Sequence, residues 1–153
     1  MKIRDVLACI GPRDIPCIDY ESHIDEVIGI MAHFPHTRLV YAVDADKRLR
    51  GTISVGSLLR HIYPHHYEGT IHAHGILGQI TAETAQHLMD KKSIAAYPDE
   101  AVDEVLERMA CARVKEMAVL DNEGRIMGDI TAVDLLRYSY LERQGKKGCE
   151  GER

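Results

Sequence analysis

No stretch of this chain approaches the about 18 consecutive apolar residues needed to cross a bilayer. Its first residues carry Lys2, Arg4 and Asp5 where a secretory leader would be apolar. The expected location is therefore cytoplasmic, with no membrane partner. Cysteines are few, at positions 9, 17, 111 and 149, and show neither a C-x-x-C pair nor the density of a disulfide scaffold; reduced thiols are expected. Basic residues are outnumbered, 19 against 24 acidic, for a formal charge of -5. That field repels nucleic acid and anionic lipid instead of attracting them. Catalytic signatures are missing as well: there is no G-x-S-x-G elbow, H-E-x-x-H helix, Walker A sequence or G-x-G-x-x-G loop. The chain reads as a non-enzyme.

What is present is ordinary globular composition, 45% hydrophobic and 28% charged, and an internal repeat. Sliding the sequence by 77 or 78 positions places Asp25-Glu26-Val27 and Met31 on Asp103-Glu104-Val105 and Met109. The same slide places Arg48, Gly51, Ile53 and Leu58-Leu59-Arg60 on Arg125, Gly128, Ile130 and Leu135-Leu136-Arg137. In each block an apolar stripe at i, i+3, i+4 and i+7 predicts a helix, Ile24 to Met31 with Ser22 as N-cap and Val102 to Met109. Short apolar runs follow, Leu39 to Val43 and Met117 to Leu120, then an Asp-rich turn and a strand through Ile53 or Ile130. Val55, Leu58, Leu59 and Ile62 predict a closing helix, repeated more weakly by Ala132, Leu135, Leu136 and Ser139. The unit is strand, helix, strand, strand, helix. One copy alone buries too little apolar surface, so two copies are expected to pack together.

These limits give a first repeat with its N-terminal segment over residues 1–62, a linker over 63–82, a second repeat over 83–141 and a disordered tail over 142–153. A short strand is expected near Thr70 to Ala73 in the linker.

The chemistry concentrates in Gly128-Asp129-Ile130-Thr131-Ala132-Val133-Asp134, where a strand ends and a helix begins. Free N–H groups and the helix dipole favour an anion there, Gly128 permits close backbone approach, and the Thr131 hydroxyl adds a donor. Asp134 offers two acceptor oxygens suited to a ribose diol. The same Thr-x-x-Asp spacing is also a capping box, in which both side chains serve only the helix start.

The tandem unit ending in Gly-x-Ile-Thr-x-x-Asp resembles the CBS domain pair, the module named after cystathionine β-synthase. The resemblance covers roughly residues 1–140, and includes Met89 with Ser93 to Pro98 and the run Val114 to Asp121. It implies an α+β fold of two β-α-β-β-α repeats related by a pseudo-two-fold axis, associating as a homodimer through the repeat helices. It further implies a regulatory module that binds an adenine nucleotide or adenosyl compound (AMP, ADP, ATP or S-adenosylmethionine) in clefts between the repeats and signals to a separate, unidentified protein. No required cofactor is implied. The matching positions are Thr131 near the phosphate or sugar and Asp134 on the diol, with Gly128 at the corner and Ile94, Ala95, Met117 and Ala118 flanking adenine. Ala118 stands where the family usually has proline, and Ala95 where it often has threonine. Arg113 and Lys115 lie within reach of phosphates or are simply solvated. In the first repeat Ser57 replaces the aspartate, so the second-repeat site is expected to bind nucleotide better than the first.

His61, His65, His66, His72 and His74 fall within fourteen residues. Imidazole is a common metal ligand, and His72 and His74 share a face if extended. The spacing matches no zinc pattern and lacks further ligands, leaving a polar linker or dimer contact as the other reading.

Overall fold

A computed structural model describes residues 1–64 and 82–145. In the first repeat, β1 (Cys17–Asp19), β2 (Leu39–Val43) and β3 (Leu49–Ser54) form one sheet, with β2 central, parallel to β1 and antiparallel to β3. The second repeat builds the same sheet from β4 (Ala95–Ala96), β5 (Glu116–Leu120) and β6 (Ile126–Thr131). Helices α2 (Ile24–His33) and α3 (Val55–Ile62) belong to the first repeat, α5 (Val102–Ala112) and α6 (Ala132–Arg143) to the second. The expected α+β fold of two βαββα repeats is thus present.

The likeness extends to irregularities. Both hairpins shift register at the same step, between Ala42 and Val43 and between Val119 and Leu120. Both turns are tied by an aspartate: Asp44 Oδ1 accepts from the N–H of Asp46 and Arg48, and Asp121 Oδ1 accepts from Glu123 and Arg125. The turn then needs a left-handed residue, supplied by Lys47 (φ 66°) in one repeat and Gly124 (φ 81°) in the other. Glycine adopts that conformation without the Cβ penalty that lysine incurs.

Each sheet buries its apolar stripe under its own helices. Ile24, Val27, Val40, Ile53 and Leu58 gather in the first repeat, and Val102, Val105, Met109, Met117, Val119, Ile130 and Leu135 in the second. The start of α2 differs from expectation. His23, not Ser22, is its N-cap, its Nδ1 accepting from the Asp25 N–H at 3.1 Å. The expected stripe of α6 is also only partly buried: Leu135 is inside, whereas Leu136 is exposed.

Among the described residues two further helices lie outside the repeat unit, α1 (Ile3–Ile10) and α4 (Ala85–Leu88), and their placement departs from the sequence boundaries. The chain forms one unit from Pro16–Ser93 and another from Met1–Ile15 with Ile94–Arg153. Residues 1–15, grouped by sequence order with the first repeat, thus pack with the second. Ile3 and Val6 of α1 join the second repeat's core, while Ala85 and Leu88 of α4 join the first's. The backbone joints correspond. In one unit the Ile3 N–H donates to Glu100 O and the Val102 N–H to Met1 O; in the other the Ala85 N–H donates to Ser22 O and the Ile24 N–H to Glu83 O.

The remaining sequence expectations fall partly outside the described residues. The strand near Thr70 to Ala73, His65, His66, His72, His74 and the tail beyond Gly145 all lie there. Among the described residues no group of three His, Cys, Asp or Glu side chains is placed to hold a metal ion, and no helix is long and apolar enough to cross a membrane. Neither Cys17 nor Cys111 is disulfide-bonded, and Cys149 lies outside the described residues.

Candidate functional site

The junction of β6 and α6 carries the predicted motif. Thr131 is the N-cap of α6, and the capping box is complete. Thr131 Oγ1 accepts from the Asp134 N–H at 3.2 Å, while Asp134 Oδ2 accepts from the Thr131 N–H and from its hydroxyl, each at 2.8 Å. Such a box satisfies helix-end donors that otherwise lack partners.

Asp134 does more than cap. The guanidinium of Arg13, in the segment after α1, forms a fork with it: Nη1 donates to Oδ1 at 3.1 Å and Nη2 to Oδ2 at 2.8 Å. Arg13 also holds the buried Asp129, through Nε to Oδ1 at 2.9 Å and Nη2 to the main-chain oxygen at 3.1 Å. Burial opposes the charge on Arg13, but the bonds to Asp134 and Asp129 outweigh it and its pKa lies above the ordinary arginine value. For Asp134, burial pushes the pKa up, yet Arg13 and Thr131 pull harder and leave it below the usual carboxylate range. Asp129 shows the reverse balance: burial wins over Arg13, and its pKa is raised.

Beside this cluster lies a pocket of about 130 Å³ lined by Val6, Cys9, Ile10, Arg13, Asp134, Arg137 and Tyr138. Its walls come from α1 and α6, and its polar groups are two guanidiniums, a carboxylate and a phenol.

The other predicted residues are distributed unevenly. Ala95 pairs with Ala118 across β4 and β5, and Ile94 is partly buried against the second core. Met117 and Ala118, expected beside adenine, are fully buried; Met117 faces the core, and Ala118 points from the opposite side of the strand. Lys115 is exposed, its carbonyl accepting from the Ala132 N–H at 2.9 Å. Arg113 is the left-handed residue that ends α5. Gly128 has a different role from the one its motif suggests: a Cβ there would lie 2.9 Å from Leu7 Cδ2. The close approach that glycine permits is taken by α1.

Arg13 and Leu7 are the residues that sequence reasoning missed. Arg13 is separated from its partners by 116 and 121 positions, and no local pattern marks it. Ile3, Val6, Leu7 and Ile10 do have helical spacing, but that signal identifies a helix without saying which repeat receives it.

In the first repeat Ser54 and Ser57 take the places of Thr131 and Asp134. Ser54 Oγ accepts from the Ser57 N–H, and the two hydroxyls are 3.1 Å apart. Arg60 Nη2 reaches Ser57 Oγ at 3.4 Å, a long contact. A neutral pair therefore stands where the second repeat has a carboxylate.

Two successive βαββα units, each ending in a hydroxyl-capped helix, define a tandem-repeat chain, and comparison with known proteins gives its family. The sequence profile of the CBS domain matches residues 3–64 and 85–141, and the chain belongs to the CBS domain family as a tandem pair. Its fold is similar to that of a CBS domain-containing protein of Thermotoga maritima, 25% identical, TM-score 0.72, covering 92% of this chain and 94% of that one. It is also similar to the CBS domain pair of protein MJ0100 in complex with 5'-methylthioadenosine and S-adenosyl-L-methionine, 20% identical, TM-score 0.68, with 96% and 98% coverage. A third likeness is to CBSX2 in complex with AMP, 12% identical, TM-score 0.74, with 93% and 98% coverage. Among curated proteins, a homoserine O-acetyltransferase of Methanohalobium evestigatum is 23% identical over 125 residues; the match takes in 82% of this chain and only 22% of that protein's length.

Proposed function

We propose that this chain is a non-catalytic regulatory module that binds an adenine nucleotide or adenosyl compound at the second repeat. The observation that carries the reading is the carboxylate of Asp134, fixed at the start of α6 by Thr131 and opening on the pocket that Arg13 and Arg137 line. A carboxylate is a strong acceptor for a ribose diol, and the positive end of the α6 dipole complements a phosphate. Thr131 and Asp134 are the primary contacts; Ile94, Ala95 and Lys115 flank the base, Met117 and Ala118 stay buried in the adjoining strand β5, and Gly128 serves by admitting α1. The adenosine compounds bound by structurally similar CBS pairs support the ligand class. The first repeat, with Ser57 in place of the acid, binds more weakly. No catalytic step is assigned to any residue.

The module passes its signal by protein contact. Both repeats expose the same helical face, Leu59 and Tyr63 in one and Leu136 and Tyr140 in the other, with Leu136 70% accessible. Matching apolar faces suit self-association, and the module forms a homodimer through them, leaving its remaining surface to the regulated protein.

Calorimetric titration with AMP, ADP, ATP, S-adenosylmethionine and GTP as a control, repeated on Asp134→Ala, tests the ligand reading. Saturable binding of an adenine compound, abolished by the substitution, is expected. No heat from any ligand, with a variant that merely melts earlier, would reduce Asp134 to the capping and ion-pairing role that its hydrogen bonds already describe.

A further inference from the structure

The second-repeat carboxylate has little acceptor capacity to spare. Asp134 takes four hydrogen bonds, three at Oδ2 (two from Thr131 and one from Arg13) and one at Oδ1 from Arg13, so of its about four lone-pair sites only one, on Oδ1, stays open. The two hydroxyls of a ribose diol can both engage it only by displacing a donor. The two Thr131 donors are built into the helix start and leave only if α6 frays. Arg13 is the displaceable one, because it has a second anchorage: Nε and Nη2 hold Asp129 independently of Asp134. Pivoting on Asp129 would free Nη1 and one Nη2 hydrogen while leaving the buried acid paired.

The freed guanidinium edge then needs an anion. It borders the pocket together with Arg137, which makes no hydrogen bond or ion pair among the described residues. Two guanidiniums around one small pocket match a phosphate, which arginine binds through paired N–H donors. An uncharged nucleoside breaks the Arg13–Asp134 fork and returns only hydroxyl bonds. A nucleoside phosphate breaks the same fork and gives Arg13 a new charged partner.

Resting on the adenine-site reading above, we infer that Arg13 is the specificity-determining residue of the second-repeat site: it blocks Asp134 against uncharged adenosine compounds and yields it to those bearing a phosphate. Arg13 acts here through Asp134 as well as on the ligand, so its removal moves the two ligand types in opposite directions. Adenosine and 5'-methylthioadenosine gain when the block is removed, whereas AMP loses its phosphate partner.

The test is titration of the full chain with AMP, adenosine, 5'-methylthioadenosine and S-adenosylmethionine, on the parent and on Arg13→Ala. Arg13→Gln serves as a second variant that keeps hydrogen-bonding capacity, and each is checked for a cooperative melt. The parent is expected to prefer AMP over adenosine by roughly tenfold or more, the scale of one charge-assisted bond. In both variants the preference should fall to about threefold or less, with adenosine binding tightened. An unchanged AMP-to-adenosine ratio would overturn the inference while leaving the adenine site standing, as would equal loss of both ligands, which assigns Arg13 a purely structural role. Preference of the parent for the cationic S-adenosylmethionine would overturn it too, by making Arg13 the mimic of a positive ligand. Binding of none of the four compounds to the parent or either variant would remove the adenine site itself, and the inference with it.

Discussion

Ser54 and Ser57 stand in the first repeat where Thr131 and Asp134 stand in the second, on helices entered from equivalent strands, yet the two corners are chemically unlike. One holds two hydroxyls with a distant arginine; the other holds two carboxylates clamped by a guanidinium. The backbone is shared down to its bulges, so the difference comes from side chains and from what packs over them. The glycines make the same point. Gly51 is approached by Met89 and Asp90, with a Cβ falling 2.8 Å from the Asp90 carbonyl oxygen, and Gly128 by the Leu7 side chain. A repeated strand thus accepts a backbone in one copy and a flexible side chain in the other.

The largest expected break in this correspondence follows from those glycines. Gly51→Ala drives a methyl into a backbone oxygen that also accepts from the Thr52 N–H, and should cost about 2 to 3 kcal/mol in denaturant unfolding. Gly128→Ala meets only a leucine methyl that can rotate, and should cost about 1 kcal/mol. Equal effects would show that the two coverings are mechanically alike.

Next in size, Arg13→Ala leaves Asp129 buried without its cation and should destabilise by about 2 kcal/mol. Arg60→Ala, which loses one long contact, should change stability by less than about 0.5 kcal/mol. Acid should expose the same contrast. Asp134 and Glu100, the latter bonded to Arg108, have folded pKa values below the ordinary range. Their contributions are present above the unfolded carboxylate pKa and are lost as the pH falls through the lower folded values. Asp129, shifted upward, takes its proton earlier; that favours the folded state on acidification and offsets part of the loss. Hydrogen exchange followed from pH 6 down toward pH 3 should therefore show protection falling in residues 94–145 before residues 16–64. Simultaneous loss would mean that the ion pairs contribute little.

The smallest effect sharpens the likeness instead. Lys47→Gly should stabilise and Gly124→Lys destabilise, each by about 1 kcal/mol, because both positions require positive φ. Thermal midpoints of the two variants should move in opposite directions.

Much of this was legible in the sequence, and the part that was not has a common cause. The offset of 77 positions that aligns Gly51 with Gly128 also aligns the two hairpins and their turn aspartates, since local pattern and repetition specify both. The box at Thr131 and Asp134 was readable for the same reason. Arg13, Leu7 and Asp90 were not, because each acts on residues far along the chain, and no periodicity records which helix caps which sheet. The N-cap of α2 was misplaced by one residue: His23 rather than Ser22 supplies the acceptor, a choice between adjacent polar side chains that spacing does not decide. Leu136 shares its helical spacing with the buried Leu135 yet is exposed, because spacing marks a face without showing whether anything covers it.

The exchange of α1 and α4 between the repeats has a bearing on synthesis. The residues of the Pro16–Ser93 unit follow one another in the chain, whereas helix α1 is made before all the later residues it packs with. With translation at roughly 5 to 20 residues per second, Ile3 and Val6 stay uncovered for several seconds until β5, β6 and α6 arrive. The segment that delivers Arg13 to Asp134 is thus made well before the residues it binds, and the second-repeat site is assembled only once β6 and α6 have been made.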